Sequence, residues 1–375
     1  MPSRSIYTED QEAFRRRVRD YLTQEVVPQY PSWAVDGMPS TDFWRGMGTL
    51  GVLGIGVPPQ HGGFEGSDFR HSAVVTEEIQ RLGLAIGGLR VHTDICVPYL
   101  VNHGSPEQRE RWLPRMCSGD IVIALALSEP GAGSDLKAMS TRAERRGDHY
   151  VVNGTKTFIS NGAAADLVIL AVKTHPAAGR RGISLLLVES STPGFERGRR
   201  LDKLGLKAQD LAELAFTDMV VPSEALLGEE NEGFHYLTAN LAHERLSVAV
   251  NSQAAAAAAL SWTIEALKGS EPGQDAKFTL ATCATEVAAG QALVEQSITA
   301  HVAGEMGVAD AALLKLFCTE MQGRVVERCL ALHPPGAAFR NDSRIGHAYL
   351  DSRVSRIYAG SSEIMKVIVS QELGL

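Results

Sequence analysis

The residue best suited to act on a substrate lies in the segment LAHERLSVA, residues 241–249, where Glu244 stands in an otherwise apolar stretch. The apolar residues around it recur at helical spacing, which predicts a helix with one buried face. A carboxylate held against an apolar cavity has its charged form disfavoured, so its pKa rises toward that of a useful general base. The alternative is a surface Glu244 that pairs with His243 or Arg245.

A second candidate is the turn ALSEPGAGSD, residues 126–135, which follows a predicted strand. One proline and two glycines exclude regular structure there, so the turn exposes backbone N–H groups and the hydroxyls of Ser128 and Ser134. Such a turn can hold an anion or the edge of a flat cofactor. It lacks the GxxxxGK[ST] pattern of a phosphate-binding P-loop. An ordinary exit from a strand is the alternative.

A third candidate is TKTFISNG, residues 155–162. Strand alternation places Phe158 and Ser160 on one face, opposite Thr157 and Ile159. An aromatic ring with a hydroxyl two residues further on can line the face and the edge of a ring system. Packing of Phe158 in the core is the alternative.

Three stretches of distinct pattern must position these segments. Residues 1–120 are predicted to form an N-terminal helical domain, which begins with a capping box from Thr8 to Gln11. Residues 121–225 change to short β-type runs without βαβ alternation, which predicts a central β-sandwich or barrel. Residues 226–375 return to long helical patterns and predict a C-terminal four-helix bundle. The predicted fold class is therefore α+β, multidomain.

Asn-Gly pairs divide the β-type runs. They stand at residues 153–154 and 161–162. Asn-Gly is a strong hairpin signal, because both turn residues tolerate positive φ. The sequence therefore predicts tight hairpins at these two positions.

Composition excludes several functions. Lys and Arg number 36 against 44 Asp and Glu, a formal charge of -8, which disfavours a nucleic-acid surface. No apolar run approaches the roughly 20 residues that span a bilayer, so we expect no membrane segment. The N-terminus runs into a charged amphipathic helix, which is not typical of a secretory signal. Five scattered cysteines without a CxxC pair are typical of a reduced cytoplasmic protein with no metal site.

Taken together, these motifs resemble the acyl-CoA dehydrogenase family over essentially the full chain. ALSEPGAGSD and NGTKTFISNG at this distance are a specific joint signal, and further matches are NHGSPEQRERWLPRMCSGD, GLKAQDLAEL, VPSEALLGEENEGF and RIYAGSSEIMK. The resemblance implies FAD between the domains and an acyl thioester, carried by coenzyme A or by an acyl-carrier protein, on the other face of the flavin. It also implies a homodimer or homotetramer and an electron-transfer flavoprotein as electron acceptor.

The resemblance assigns roles to individual residues. Many family members carry the catalytic base as Glu after the Tyr of the closing motif, where this chain has Ala359. The long-chain and isovaleryl branches take the base from a Glu-Arg-Leu stretch, which Glu244 supplies here. The Ala359 backbone N–H would then hold the thioester carbonyl. Arg245 and Ser134 would contact substrate, although a structural pairing of Arg245 is an equal alternative. The residues expected to contact the cofactor are Leu125, Leu127, Ser128, Gly133, Ser134, Phe158, Ser160, Ser361 and Glu363.

The chain departs from the family where an Arg and a Gln-rich motif usually grasp the adenosine diphosphate of FAD. Ser270 stands near the expected Arg, and ALHPPGAAF, residues 331–339, replaces the second motif. Three interpretations follow. FAD binds through other contacts, the protein pairs with a clamp-supplying homologue in a hetero-oligomer, or it is a flavin-free scaffold subunit. The candidate replacement contacts are Lys268, Lys277 and Arg340. A flavin monooxygenase on the same fold is a further alternative, which Glu244 disfavours.

Overall fold

The N-terminal region is helical, as predicted. The computed structural model of the protein describes residues 6–375. Its first helices are α1 (Glu9–Tyr21), α2 (Tyr30–Asp36), α3 (Thr41–Thr49), α4 (Phe69–Leu82), α5 (Gly88–Arg90), α6 (Val97–His103) and α7 (Pro106–Ser118). The capping box is confirmed, because the Gln11 N–H donates to the Thr8 hydroxyl and the Thr8 N–H donates to the Gln11 side chain.

The central region is an eight-stranded sheet. Its strands are β1 (Ile123–Ala126), β2 (Arg142–Arg146), β3 (His149–Ser160), β4 (Leu167–Lys173), β5 (Ile183–Glu189), β6 (Phe195–Arg200), β7 (Leu211–Pro222) and β8 (Leu226–Leu227). The order is β6-β7-β3-β2-β4-β5-β8, and β1 pairs in parallel with β4. Alternate apolar residues of these strands form one shared core. This arrangement confirms the predicted β domain.

The two predicted Asn-Gly hairpins are wrong. Asn153 and Gly154 lie inside β3, where the pairing with β7 shifts register. Glycine is needed there because a Cβ would come within 2.5 Å of the Thr141 hydroxyl. Asn161 does begin a turn with φ of 61°, but β3 pairs with β2 and β7 rather than with the next strand. Its side chain instead donates to the backbone carbonyl of Gly88 at 2.9 Å, which joins the helical region to the sheet.

The C-terminal region is a helical bundle. Its helices are α8 (Gly233–Ala266), α9 (Gln274–Val302), α10 (Val308–Ala331), α11 (Pro335–Ala338), α12 (Arg344–Ser352) and α13 (Ser362–Glu372). The long helices α8, α9 and α10 pack on one another, and α4 packs against α8. Fully buried alanines such as Ala256 and Ala259 allow the close approach of α8 to its neighbours. The domain boundaries at residues 120 and 225 stay a prediction.

Within residues 6–375, no helix combines the length and the apolar character needed to cross a membrane.

Candidate active site

Glu244 is buried in the middle of α8. Glu244 is only 7% exposed, so the alternative that it pairs with His243 or Arg245 at the surface is wrong. The Tyr99 hydroxyl, from α6, donates to Glu244 Oε1 at 3.0 Å. The Asn240 amide, one turn earlier on α8, donates to the same oxygen at 3.1 Å. Within the described residues, Oε2 has no hydrogen-bond partner and remains available to a proton.

The surroundings of Glu244 favour a general base. Burial raises the pKa of its carboxyl group, while the hydrogen bonds from Tyr99 and Asn240 and the charge of Arg245 oppose that rise. Burial has the larger effect, so the pKa lies above its ordinary value. A carboxylate tuned upward in this way accepts a proton more readily at neutral pH.

Glu244 lines a cavity of about 280 Å³ between the helical regions and the sheet. The wall is mostly apolar, and Ser134 of the ALSEPGAGSD turn lies at one side. Its lining includes Tyr99, Leu127, Ser134, Phe234, Leu241 and Glu244. The exposed residues Asp135, Lys137 and Arg180 also line it, so two cations and one carboxylate, a net positive charge, lie where the cavity meets solvent. The cavity therefore suits an apolar chain with an anionic outer end.

A buried ion pair holds the turn after β1. Lys156 Nζ, from β3, donates to the Leu127 carbonyl at 3.0 Å and to Glu129 Oε1 at 2.9 Å. Burial opposes the charge of Glu129, but the hydrogen bond from Thr141 and the charge of Lys156 lower its pKa to about 2. Burial also lowers the pKa of Lys156 to about 8. The pair joins the two predicted motifs into one rigid unit.

Beside this unit, the turn and β3 form a shelf that is open to a ligand. A Cβ built on Gly131 or Gly133 would meet no atom within 4 Å. The Thr157 N–H donates to the Ser128 carbonyl at 2.9 Å, so the turn is bonded to β3. Phe158 lies at a bulge with φ of 57° and is 65% exposed. The alternative that Phe158 packs in the core is therefore wrong.

The remaining cofactor candidates surround these two motifs. Leu125, at the end of β1, is half-buried like Leu127 and Ser128, whereas Ser134 is exposed. Ser160 is half-buried, and its hydroxyl accepts from the Gln209 amide at 2.9 Å. Gln209 was not among the site residues predicted from the sequence, although it stands in the motif GLKAQDLAEL.

The closing motif approaches the same helix. Ala359 has φ of 53° in the turn before α13, and Gly360 follows with φ of 92°. A Cβ built on Gly360 would lie 3.9 Å from Arg245 Nη2, so this turn is next to the residue that follows Glu244. Ser361 caps α13, because its hydroxyl accepts from the Ile364 N–H at 3.4 Å. Glu363 is exposed in the first turn of α13 and does not line the cavity.

Arg245 has unsatisfied hydrogen-bond donors, which indicate whether a bound group fits this site. The residue is 3% exposed, and its Nε and Nη1 have no acceptor within the described residues. A buried guanidinium without acceptors costs free energy, so a ligand that supplies them would stabilise the site. An exposed ring at a strand edge, an open glycine turn and this unsatisfied Arg245 fit a large, flat, polar cofactor such as FAD.

The predicted replacements for the missing clamp lie elsewhere. Lys268 and Arg340 are exposed and form local ion pairs with Glu265 and Asp342. Lys277 and Ser270 are also exposed. None of the four lines the cavity that holds Glu244.

The helix–sheet–helix fold and this site together define a flavin-type oxidoreductase. Family models for the N-terminal, middle and C-terminal domains of acyl-CoA dehydrogenase match residues 8–120, 124–219 and 231–374. The protein therefore belongs to the acyl-CoA dehydrogenase family. Members of this family are FAD-dependent oxidoreductases that act on CH–CH groups, and so is this chain.

Individual relatives match over the full length. The long-chain specific acyl-CoA dehydrogenase of Sus scrofa mitochondria is 37% identical over 379 residues, covering 99% of this chain and 88% of that protein. Isovaleryl-CoA dehydrogenase from Pongo abelii is 34% identical, with 97% and 88% covered. The crystal structure of an acyl-CoA dehydrogenase from Geobacillus kaustophilus is 42% identical, covers 100% of both chains and superposes with a TM-score of 0.96. The predicted fold class is thereby confirmed.

Proposed function

We propose that this protein introduces an α,β double bond into an acyl thioester, with Glu244 as the general base. The observation that carries the proposal is the carboxylate of Glu244 itself. It is buried on a cavity wall, one oxygen is held by Tyr99 and Asn240, and the other has no partner within the described residues. The division into domains 1–120, 121–225 and 226–375 is part of the same proposal.

The reaction needs a base and a polarised carbonyl at once, because the C–H next to a thioester is a very weak acid. Glu244 takes the α-proton. The Ala359 backbone N–H donates to the thioester oxygen, which stabilises the negative charge that develops there. Bound FAD supplies the acceptor for the β-hydride. The product is a 2-enoyl thioester.

We propose that the cofactor lies on the shelf beside β3 and the turn after β1. Phe158 and Ser160 would flank its ring, and Ser361 and Glu363 would reach it from α13. The free N–H groups of Arg245 would donate hydrogen bonds to the substrate or the cofactor. Contacts from the end of β1 and the turn after it would come from Leu125, Leu127, Ser128, Gly133 and Ser134.

Coenzyme A is the acyl carrier that the site favours. Lys137 and Arg180 line the solvent side of the cavity, where their charges complement the phosphates of coenzyme A. An acyl-carrier protein would present one phosphodiester and a protein surface instead. A panel of acyl-CoA thioesters that differ in the length and branching of the acyl chain identifies the acyl group.

The wider setting of the reaction is also proposed. An electron-transfer flavoprotein would reoxidise the flavin, as is usual for the family. We propose a homodimer or homotetramer, as the family resemblance implies; the exposed Phe278 on α9 and Phe339 after α11 are bundle residues that such an interface could cover. All five cysteines are free and buried, which supports a reducing compartment such as the cytoplasm.

A spectroscopic experiment tests the proposal. We expect the purified protein to be yellow with bound FAD and to bleach when acyl-CoA thioesters are added without oxygen. A colourless protein that FAD does not reconstitute would favour the scaffold or hetero-oligomer alternatives. If no thioester reduces the flavin, but NADH or NADPH reduces it and the reduced protein then consumes oxygen, the result would favour a monooxygenase.

Tyr99→Phe should change the pH dependence of the reaction. The ring and the cavity shape are kept, but the charged form of Glu244 loses one donor, so the pKa of this carboxyl group rises. The acidic limb of the kcat/KM profile should move to higher pH, with activity on that limb reduced by about tenfold. Asn240→Leu should move the limb in the same direction. An unchanged limb in both variants would contradict the assigned hydrogen bonds.

A further inference from the structure

The turn that carries Ala359 adopts an unusual backbone conformation. Ala359 and Gly360 both have positive φ, at 53° and 92°. The left-handed region is unfavourable for alanine, so surrounding contacts must hold the turn in place. Within the described residues, the Ala359 N–H has no hydrogen-bond partner. The N–H proposed to bind the thioester carbonyl is therefore free, provided that the turn keeps its shape.

Glu320, on helix α10, contacts residues at both ends of this turn. Glu320 forms an ion pair with Arg356 at 3.2 Å on one side. On the other side, the Ser362 hydroxyl donates to Glu320 Oε1 at 2.7 Å. One carboxylate therefore fixes the residues that precede and follow the turn.

Lys315, also on α10, holds the centre of the turn. Its Nζ donates to the Gly360 carbonyl at 2.7 Å. The residue is fully buried and forms no ion pair within residues 6–375. Burial and the nearby charge of Arg245 lower the pKa of its ammonium group to about 8. The charges of Glu320 and Glu363 offset only part of this effect. A buried ammonium group near a second cation is costly, and packing alone would be served better by Met or Leu.

We propose that Lys315 is a positioning residue for catalysis, which fixes the Gly360 peptide so that the Ala359 N–H points at the thioester oxygen. This inference rests on the proposed function of Glu244 and Ala359. Without the Lys315 donor, the Gly360 carbonyl loses the group that holds it. The unfavourable left-handed conformation of Ala359 can then relax, which turns the Ala359 N–H away from the thioester oxygen. A misplacement of about 1 Å in such a group costs about a hundredfold in rate.

The test isolates removal of the proton from transfer of the hydride. The probe is 3,3-dimethylbutyryl-CoA, which has α-hydrogens but no β-hydrogen, so it exchanges with solvent deuterium and cannot be oxidised. Exchange is followed by mass spectrometry on the FAD-bound protein. In Lys315→Met, we expect the exchange rate to fall about a hundredfold, while the dissociation constant of the probe and the FAD content change by less than about threefold.

Two reference variants separate the possible outcomes. Lys366→Met makes the same change at an exposed position of α13 and should exchange at the wild-type rate. Glu244→Gln should not exchange, and wild-type exchange in that variant would refute the proposed base. Wild-type exchange in Lys315→Met, with Glu244→Gln inactive, would overturn the role of Lys315 alone. Equal losses of exchange, binding and FAD would also overturn it, because they indicate a purely structural role.

If Lys315→Met is not recovered folded, Lys315→Gln provides the same measurement with a smaller side chain. An amide on a shorter side chain reaches the Gly360 carbonyl poorly, so exchange should again fall while binding is kept. Wild-type exchange in Lys315→Gln would contradict the proposal.

Discussion

Glu244→Gln is expected to lower turnover by about 10²–10⁴-fold while the flavin absorbance and the fold remain unchanged. Glutamine has the shape of glutamate, and its amide oxygen can still accept from Tyr99 and Asn240. The amide nitrogen that replaces Oε2 cannot take a proton. The loss should therefore appear in the chemical step rather than in the binding of substrate.

Anaerobic stopped-flow measurement of flavin bleaching reads that step directly. The matched control is Glu265→Gln, which neutralises an exposed carboxylate on the same helix α8. We expect the control to bleach at the wild-type rate. If Glu244→Gln bleaches as fast as its control, the base lies elsewhere and the proposed mechanism is wrong.

Periodicity was sufficient to predict the order of the three regions, because helical and strand patterns are local. The polar start of α1 and the apolar run that continues α8 are examples, since each depends on residues a few positions apart. Asn153-Gly154 misled the prediction for a physical reason. The glycine serves a close approach to Thr141 at a bulge, and the dipeptide alone does not distinguish a bulge from a hairpin turn.

At the site, Glu244 could be found from the sequence because an acid in an apolar stretch is conspicuous. Its partner Tyr99 could not, because the two residues are separated by 145 positions and meet only after α6 packs on α8. Lys315 and Gly360 are 45 positions apart, and neither stands out in its own segment. Glu129 and Lys156 could have been proposed as site residues from the sequence, since both lie inside the quoted motifs. Only the fold shows that they form an ion pair.

Lys156→Met is expected to destabilise the protein by about 3–5 kcal/mol, because it leaves the Glu129 carboxylate buried without its cation. The side chains of the pair are 0% and 2% exposed, so water cannot replace the missing charge. The turn after β1 should loosen as well, because the Leu127 carbonyl loses its donor. Urea unfolding at neutral pH measures the loss, and Lys207→Met, at an exposed ion pair, is the control.

The double variant Lys156→Met with Glu129→Gln distinguishes an uncompensated charge from lost packing. Glutamine is neutral, but it keeps only one acceptor for the N–H groups of Ser140 and Thr141, which donate to the two oxygens of Glu129. We expect the double variant to be more stable than Lys156→Met alone despite that lost hydrogen bond, and such a gain would assign the loss in Lys156→Met to the uncompensated charge. The pH dependence gives an independent check. Because the folded pKa of Glu129 is depressed to about 2, its stabilising contribution is present above the ordinary carboxyl pKa and is lost as the pH falls toward 2. In Lys156→Met the carboxyl group of Glu129 should have a higher pKa than in the wild type, because the charge of Lys156 is gone. As the pH falls toward the ordinary carboxyl range, the wild type should therefore lose more stability than the variant, and the difference in free energy of unfolding between them should narrow.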